Sequence, residues 1–201
     1  MTPLLEALSA IARDLDREGA RWALVGGLAV SARTEPRFTR DLDVAVAVPD
    51  DGAAERLARA LLGRGYTVEW ELTGPSGRLV GMRLVAPLRG EEAEEVVLDL
   101  LFASSGIEDQ VVAAATPLPF VPGLSVPVAA LGHLLALKLL SAHPDRRPQD
   151  LVDLRNLVRA ASAGELARAR AAVQEIQARG FERGKDLLAE LDHALARHRG
   201  P

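Results

Sequence analysis

From Val96 to Ala103 the chain reads VVLDLLFA, apolar at every position but Asp99. A continuous apolar run of this length suits a strand covered on both faces. A carboxylate inside such a strand costs several kcal/mol unless it is compensated. The fold must therefore bring Asp99 a partner, and two kinds would serve: a divalent cation shared with other carboxylates, or an arginine. Asp41 and Asp43 are the candidates for the first kind. They open the β-branched run from Leu42 to Val48, and strand alternation sends both carboxylates to one face while Leu42 and Val44 take the other. An isolated D-x-D can simply be solvated charge at the start of a strand. Asp99 is what makes a shared metal site of Asp41, Asp43 and Asp99 the more economical reading, with the same three as catalytic carboxylates.

The surrounding pattern predicts an α+β fold, a mixed β-sheet flanked by helices and followed by a C-terminal helical region. Thr2-Pro3 with Leu4, Leu5, Leu8, Ile11 and Leu15 marks a first helix ending at Gly19. Trp22 to Val25 is a short strand stopped by Gly26-Gly27, and Leu28 to Arg33 winds as a helix before Pro36. After the Asp41 strand, Asp50-Asp51-Gly52 starts a helix through Leu57, Leu61 and Leu62. Tyr66 to Leu72 and Arg78 to Val85 flank Gly74-Pro75-Ser76-Gly77 and pair as an antiparallel hairpin. Proline accumulates from Thr116 to Pro127, and beyond it Val128 to Ala142, Gln149 to Ala161, Gly164 to Arg179 and Phe181 to His198 all read as helices. A boundary near residue 125 divides the chain into residues 1–125 and 126–201.

The chain has no cysteine, so a metal must be held by oxygen or imidazole ligands, and hard cations come first. No apolar run approaches the roughly 18 residues a membrane span needs, and Glu6, Arg13 and Asp14 interrupt any signal peptide, so a cytoplasmic location with no membrane partner is expected. A formal charge of −4 argues against a surface coated in positive potential for duplex binding, although a local basic groove survives that average. With only 3% aromatic residues there is little material for base-stacking platforms, which disfavours a pure nucleic-acid-binding module.

Gly26 and Gly27, between a strand and a helix, let backbone N–H groups approach a phosphate with the helix N-terminus behind them. A dinucleotide-binding turn fits poorly, because no third glycine follows and because Asp41 and Asp43 precede their strand instead of ending one. Arg33, Arg37 and Arg40 crowd the segment before the carboxylates, where they could meet phosphates or remain as solvated surface charge. Lys138 sits in the apolar stretch Leu134 to Leu140, a setting that calls for a carboxylate or a ligand phosphate. Asp150 and Asp153, one helical turn apart, can face Lys138 or Arg147, as a structural cluster or as part of a substrate site.

Taken together, LVGGLAVSARTEPRFTRDLDVAV, VVLDLLFA and ALKLLSAHPDRRPQDLVDL resemble the polymerase-beta-like nucleotidyltransferase superfamily, most nearly the abortive-infection toxins of the AbiE type. The resemblance runs from Trp22 to Leu157. It implies that Gly26 and Gly27 contact a triphosphate and that Asp41, Asp43 and Asp99 bind magnesium or manganese. It further implies substrate-binding roles for Lys138, Arg147 and Asp150, with Asp153 completing the motif, and Arg40 is expected to join them from its place just ahead of the carboxylates. Gln149 stands where the toxin-like subgroup has lysine, which withdraws any borrowed role at that position. The implied activity is transfer of a nucleoside monophosphate from a nucleoside triphosphate to an acceptor hydroxyl. The implied acceptor is RNA, transfer RNA especially, in a toxin–antitoxin pair with a cognate antitoxin. A small hydroxylated acceptor of the aminoglycoside kind, or a nucleotide-binding regulator without turnover, are the rival outcomes.

Overall fold

The computed structural model describes residues 2–74, 77–88, 95–143 and 148–199. Arg147, and Pro75 and Ser76 of the expected hairpin turn, lie outside the described residues. Helix α1 (Pro3–Arg17) starts where the Thr2 hydroxyl accepts the Leu5 N–H, and its apolar stripe of Leu8, Ile11 and Leu15 is buried. Strand β1 (Arg21–Val25) passes directly into α2 (Gly26–Arg33). Then follow β2 (Asp41–Ala47), α3 (Asp51–Leu62), β3 (Thr67–Thr73), β4 (Leu79–Val85) and β5 (Val97–Leu101). The rest is α4 (Glu108–Ala113), β6 (Thr116–Val121), β7 (Leu124–Val128), α5 (Leu131–Ser141), α6 (Gln149–Ala160), α7 (Ala163–Ala178) and α8 (Leu187–Arg199).

The strands form one seven-stranded sheet in the order β3-β4-β5-β2-β1-β7-β6. It is mixed, as expected: β2 runs parallel to β5 and β1 parallel to β7, while the other neighbours are antiparallel. Leu42, Val44 and Val46 of β2 and Leu98 and Leu100 of β5 are fully buried on one face, which leaves the other face of these two central strands to the carboxylates. The apolar helix α5 buries Leu134, Leu135, Leu139 and Leu140, and it packs on α2, α6, α7 and α8. That packing carries Lys138 over the start of α2.

Three local expectations change. The proline-rich segment from Thr116 to Pro127, where no strand was expected, is a β-hairpin, β6 with β7. Its prolines are compatible with strand because β6 is an edge and β7 is in register with β1 at the Leu24–Val128 pair alone among the described residues, so few outward N–H groups are needed. Consequently α5 begins at Leu131, not Val128. The last helix begins at Leu187, not Phe181, since Gly180, Arg183 and Gly184 all have positive φ. Helix α4 had no forecast, being too short at six residues to show a period.

Candidate active site

The register of the sheet places Trp70 beside Arg83, Arg83 beside Asp99, Asp99 beside Asp43 and Asp43 beside Val25, so one row of side-chain positions crosses five strands. Gly26 follows at the end of that row. Asp41 lies two residues from Asp43 on the same face of β2 and pairs with Val97. A cleft of about 610 Å³ opens over this row, lined by Gly26, Gly27, Asp41, Asp43, Asp99 and Arg83 and roofed by Lys138 and Asp150. A hollow of about 670 Å³ around Arg21, Ala47 and Arg56 brings together no comparable set.

Gly26 has φ +65, and a Cβ there would stand 1.8 Å from Oδ2 of Asp43. Any side chain at this position would displace the carboxylate, so the turn and the acid are built for each other. Gly27 is nearly as constrained, since its Cβ would meet the Arg37 guanidinium at 2.7 Å. Its N–H donates to Asp43. Asp41 accepts from the Thr39 hydroxyl at 2.9 Å. Burial, then the charges of Asp41 and Asp99, push the Asp43 carboxyl up to about 7 against the opposing pull of Lys138 and the Gly27 N–H.

Of the two partners weighed for Asp99, the structure supplies the arginine, Arg83. Asp99 shares the row and the cleft with Asp43, and Arg83 grips it in a fork with both nitrogen–oxygen distances at 2.7 Å. Each carboxylate oxygen keeps a second lone pair, so the fork does not exhaust Asp99 as an acceptor. Among the described residues no three carboxylate or imidazole groups are gathered closely enough to hold an ion. The residues nevertheless suit a hard divalent cation. Asp43 is an acid whose ionisation its own neighbours oppose, and a cation beside Asp41 and Asp43 would remove that opposition.

Above the carboxylates lies a cationic layer locked to acids of α6. Arg37 forks Asp153 at 2.6 and 2.7 Å, and Lys138 reaches Asp153 at 2.9 Å and Asp150 at 3.2 Å. Asp150 also accepts the His143 N–H at 3.0 Å. Burial alone would raise the Asp153 pKa, but the Arg37 hydrogen bonds and Lys138 hold it below the usual carboxylate range. Lys138 thus has the carboxylate partners its apolar setting called for, while still facing the cleft near Asp43.

The three arginines ahead of the carboxylates part ways. Arg33 is a structural tie: it donates to the carbonyls of Val128 and Ala129 and to the Thr116 hydroxyl. Its guanidinium therefore faces the β6–β7 hairpin instead of a phosphate. Arg37 belongs to the Asp153 cluster. Arg40 stays exposed beside the Phe38 ring, 5.4 Å from its centroid. Sequence reading missed Arg83, Trp70, Thr39 and Arg183, all of which line or shape the cleft. Arg83 left one trace, as the only charge in the run LVGMRLV, whose alternation sets it opposite Asp99 once β4 pairs with β5. Arg183, with φ 58, donates to the Ser104 carbonyl at the cleft rim and left no comparable signal.

The family model for the nucleotidyl transferase AbiEii toxin of type IV toxin–antitoxin systems matches residues 8–199. The curated proteins contain no match. Among solved structures, an antigenic nucleotidyltransferase-like protein from Paracoccidioides brasiliensis is similar at a TM-score of 0.57 and 20% identity, over 93% of this chain and 89% of that one. The lincomycin-bound lincosamide antibiotic adenylyltransferase LnuA is similar at a TM-score of 0.48 and 16% identity, over 78% of this chain and 97% of that one. At 20% identity the first of these is a likeness of fold.

Proposed function

This chain belongs to the nucleotidyl transferase AbiEii toxin family, and from that premise we propose a specific reaction for it. The chain transfers a nucleoside monophosphate from a nucleoside triphosphate, with magnesium or manganese, to a hydroxyl of RNA, transfer RNA foremost. It acts as the toxin of a pair with a cognate antitoxin. The observation that carries this reading is the row from Gly26 through Asp43 to Asp99, which aligns a glycine turn at a helix N-terminus, an acid whose neighbours oppose its ionisation and a second acid in one cleft.

In the reaction, the acceptor oxygen attacks the α-phosphorus, the bond from that phosphorus to its bridging oxygen breaks, and pyrophosphate leaves. Asp41 and Asp43 would hold the divalent cation, with Asp99 beside it, and such a cation neutralises phosphate charge and acidifies the acceptor hydroxyl. The Gly26–Gly27 turn at the helix N-terminus receives the β- and γ-phosphates, whose oxygens accept from its backbone N–H groups, the Gly27 N–H being shared with Asp43. Thr39 orients Asp41, Arg83 orients Asp99, and Asp99 receives the acceptor's proton. Lys138 offsets part of the negative charge that the triphosphate adds near Asp43.

Incubation of the protein with each labelled nucleoside triphosphate, magnesium and total cellular RNA tests the reading. Label should become covalently attached to RNA with matching pyrophosphate release, and Asp99→Asn should lower the yield by roughly a hundredfold or more. Label on an aminoglycoside but not on RNA would replace the acceptor. Tight nucleotide binding without any pyrophosphate would replace the enzyme by a regulator.

A further inference from the structure

In-line displacement sets the attacking oxygen opposite the leaving group. The Gly26–Gly27 turn, where pyrophosphate would leave, flanks Asp43 on its β1 side. An acceptor must then approach over β5, β4 and β3, where the floor of the cleft is Asp99, Arg83, Trp70 and Leu72 in turn. We infer that Trp70, backed by Arg83 and Leu72, is the acceptor subsite, and that its ligand is an unpaired nucleobase next to the hydroxyl that reacts. The inference rests on the proposed transfer reaction for its direction of approach.

Four observations carry it. Trp70 is 42% exposed, whereas the chain's other tryptophan, Trp22, is 5% exposed and donates to Asp16. Leu72 is exposed to the same degree and lines the same cleft. The Arg83 guanidinium lies over the Trp70 ring, 5.1 Å from its centroid, while forking Asp99, so the ring is tied to the acid by one side chain. Strand β3 is the sheet edge, so among the described residues no further strand pairs beyond the ring. Trp70 stands two strand spacings from Asp99, about 10 Å, a span that suits the base of the nucleotide preceding the one whose hydroxyl reacts.

A ring, an alkyl chain and a guanidinium form a surface that stacks a planar base and meets its phosphate. A polycationic amino sugar would instead seek carboxylates, and those that act on Arg83 are Asp99, which Arg83 already forks, with Glu69 and Asp41.

Trp70→Leu keeps the apolar bulk of an exposed position and removes the ring, and Trp70→Phe restores a smaller one. With a single-stranded RNA hexamer bearing a free 3′ hydroxyl as acceptor, Trp70→Leu should raise the acceptor KM by roughly tenfold or more. The KM for the nucleoside triphosphate should stay put, and Trp70→Phe should recover most of the loss. Tryptophan emission should be quenched by the hexamer in the native protein and not in Trp70→Leu, where buried Trp22 reports folding. An acceptor KM within twofold of the native value, a shift falling on the triphosphate KM, or quenching by tobramycin in place of RNA would each overturn the subsite. Should RNA receive no label at all, the transfer reading fails while the quenching arm still decides: loss of quenching in Trp70→Leu upholds the subsite, and no quenching by RNA rejects it.

Discussion

Single residues set the site more tightly than any motif does. Gly26 and Asp43 occupy overlapping space as soon as Gly26 gains a Cβ, so Gly26→Ala must move the acid as well as strain the backbone. Gly19 has nearly the same backbone, φ +63, with nothing within 4 Å of a Cβ, and isolates the strain alone. Urea denaturation should show Gly19→Ala losing about 1–2 kcal/mol, with Gly26→Ala losing about 2 kcal/mol more from the clash; equal losses would mean that Asp43 is not held where the turn requires it. Much of this was legible in the sequence: strand alternation alone put Asp41 and Asp43 on one face, and a lone acid in VVLDLLFA demanded a partner. The sequence could not say that Arg83 would be that partner, because pairing across strands depends on register, and register is written in no single strand.

Elements position these residues with unequal firmness. The β-hairpin of β6 and β7 joins the sheet through one paired position and the Ala129 N–H to Leu24 carbonyl bond. Val126 and Val128 are buried in the core, and Arg33 adds three hydrogen bonds reaching from α2. Arg33→Ala should therefore speed amide hydrogen exchange across residues 116–128 by tenfold or more while β2 and β5 keep their protection. Uniform exchange in both variants and native protein would show that the pairing suffices without Arg33. The hairpin was illegible because prolines usually argue against strand, and only its place at the edge reverses the argument. The β1–Gly-Gly–α2 unit, the β3–β4 hairpin and the helices α1, α3, α6 and α7 were legible because caps, turns and periods agreed there.

At the scale of the molecule, the proposed division into residues 1–125 and 126–201 passes through β7, and the cleft draws on both sides of it, Asp43 from one and Lys138 from the other. Transfer should accordingly need both parts in one chain. No helix among the described residues is long and apolar enough to cross a membrane. The interface of α5 with α7 also carries a pH dependence. Burial, and then Arg168, lower the His133 pKa to about 4, and its Nδ1 has no hydrogen-bond partner among the described residues. The unfolded chain therefore takes up a proton near 6.5 that the folded chain refuses until about 4. Stability should fall by up to about 3 kcal/mol across that interval as the solution is acidified. His133→Leu should flatten the melting temperature between those limits, and an undiminished slope would exclude His133 as its source. The central claim, that the row across the sheet is a nucleotide-transfer site, meets its most direct test in the melting temperature with and without magnesium and nucleoside triphosphate. The native protein should be stabilised by the pair together, since ligand binds only the folded state. Asp41→Asn with Asp43→Asn should retain the fold and lose that shift, whereas an unchanged shift in the double variant would place the nucleotide elsewhere and contradict the account.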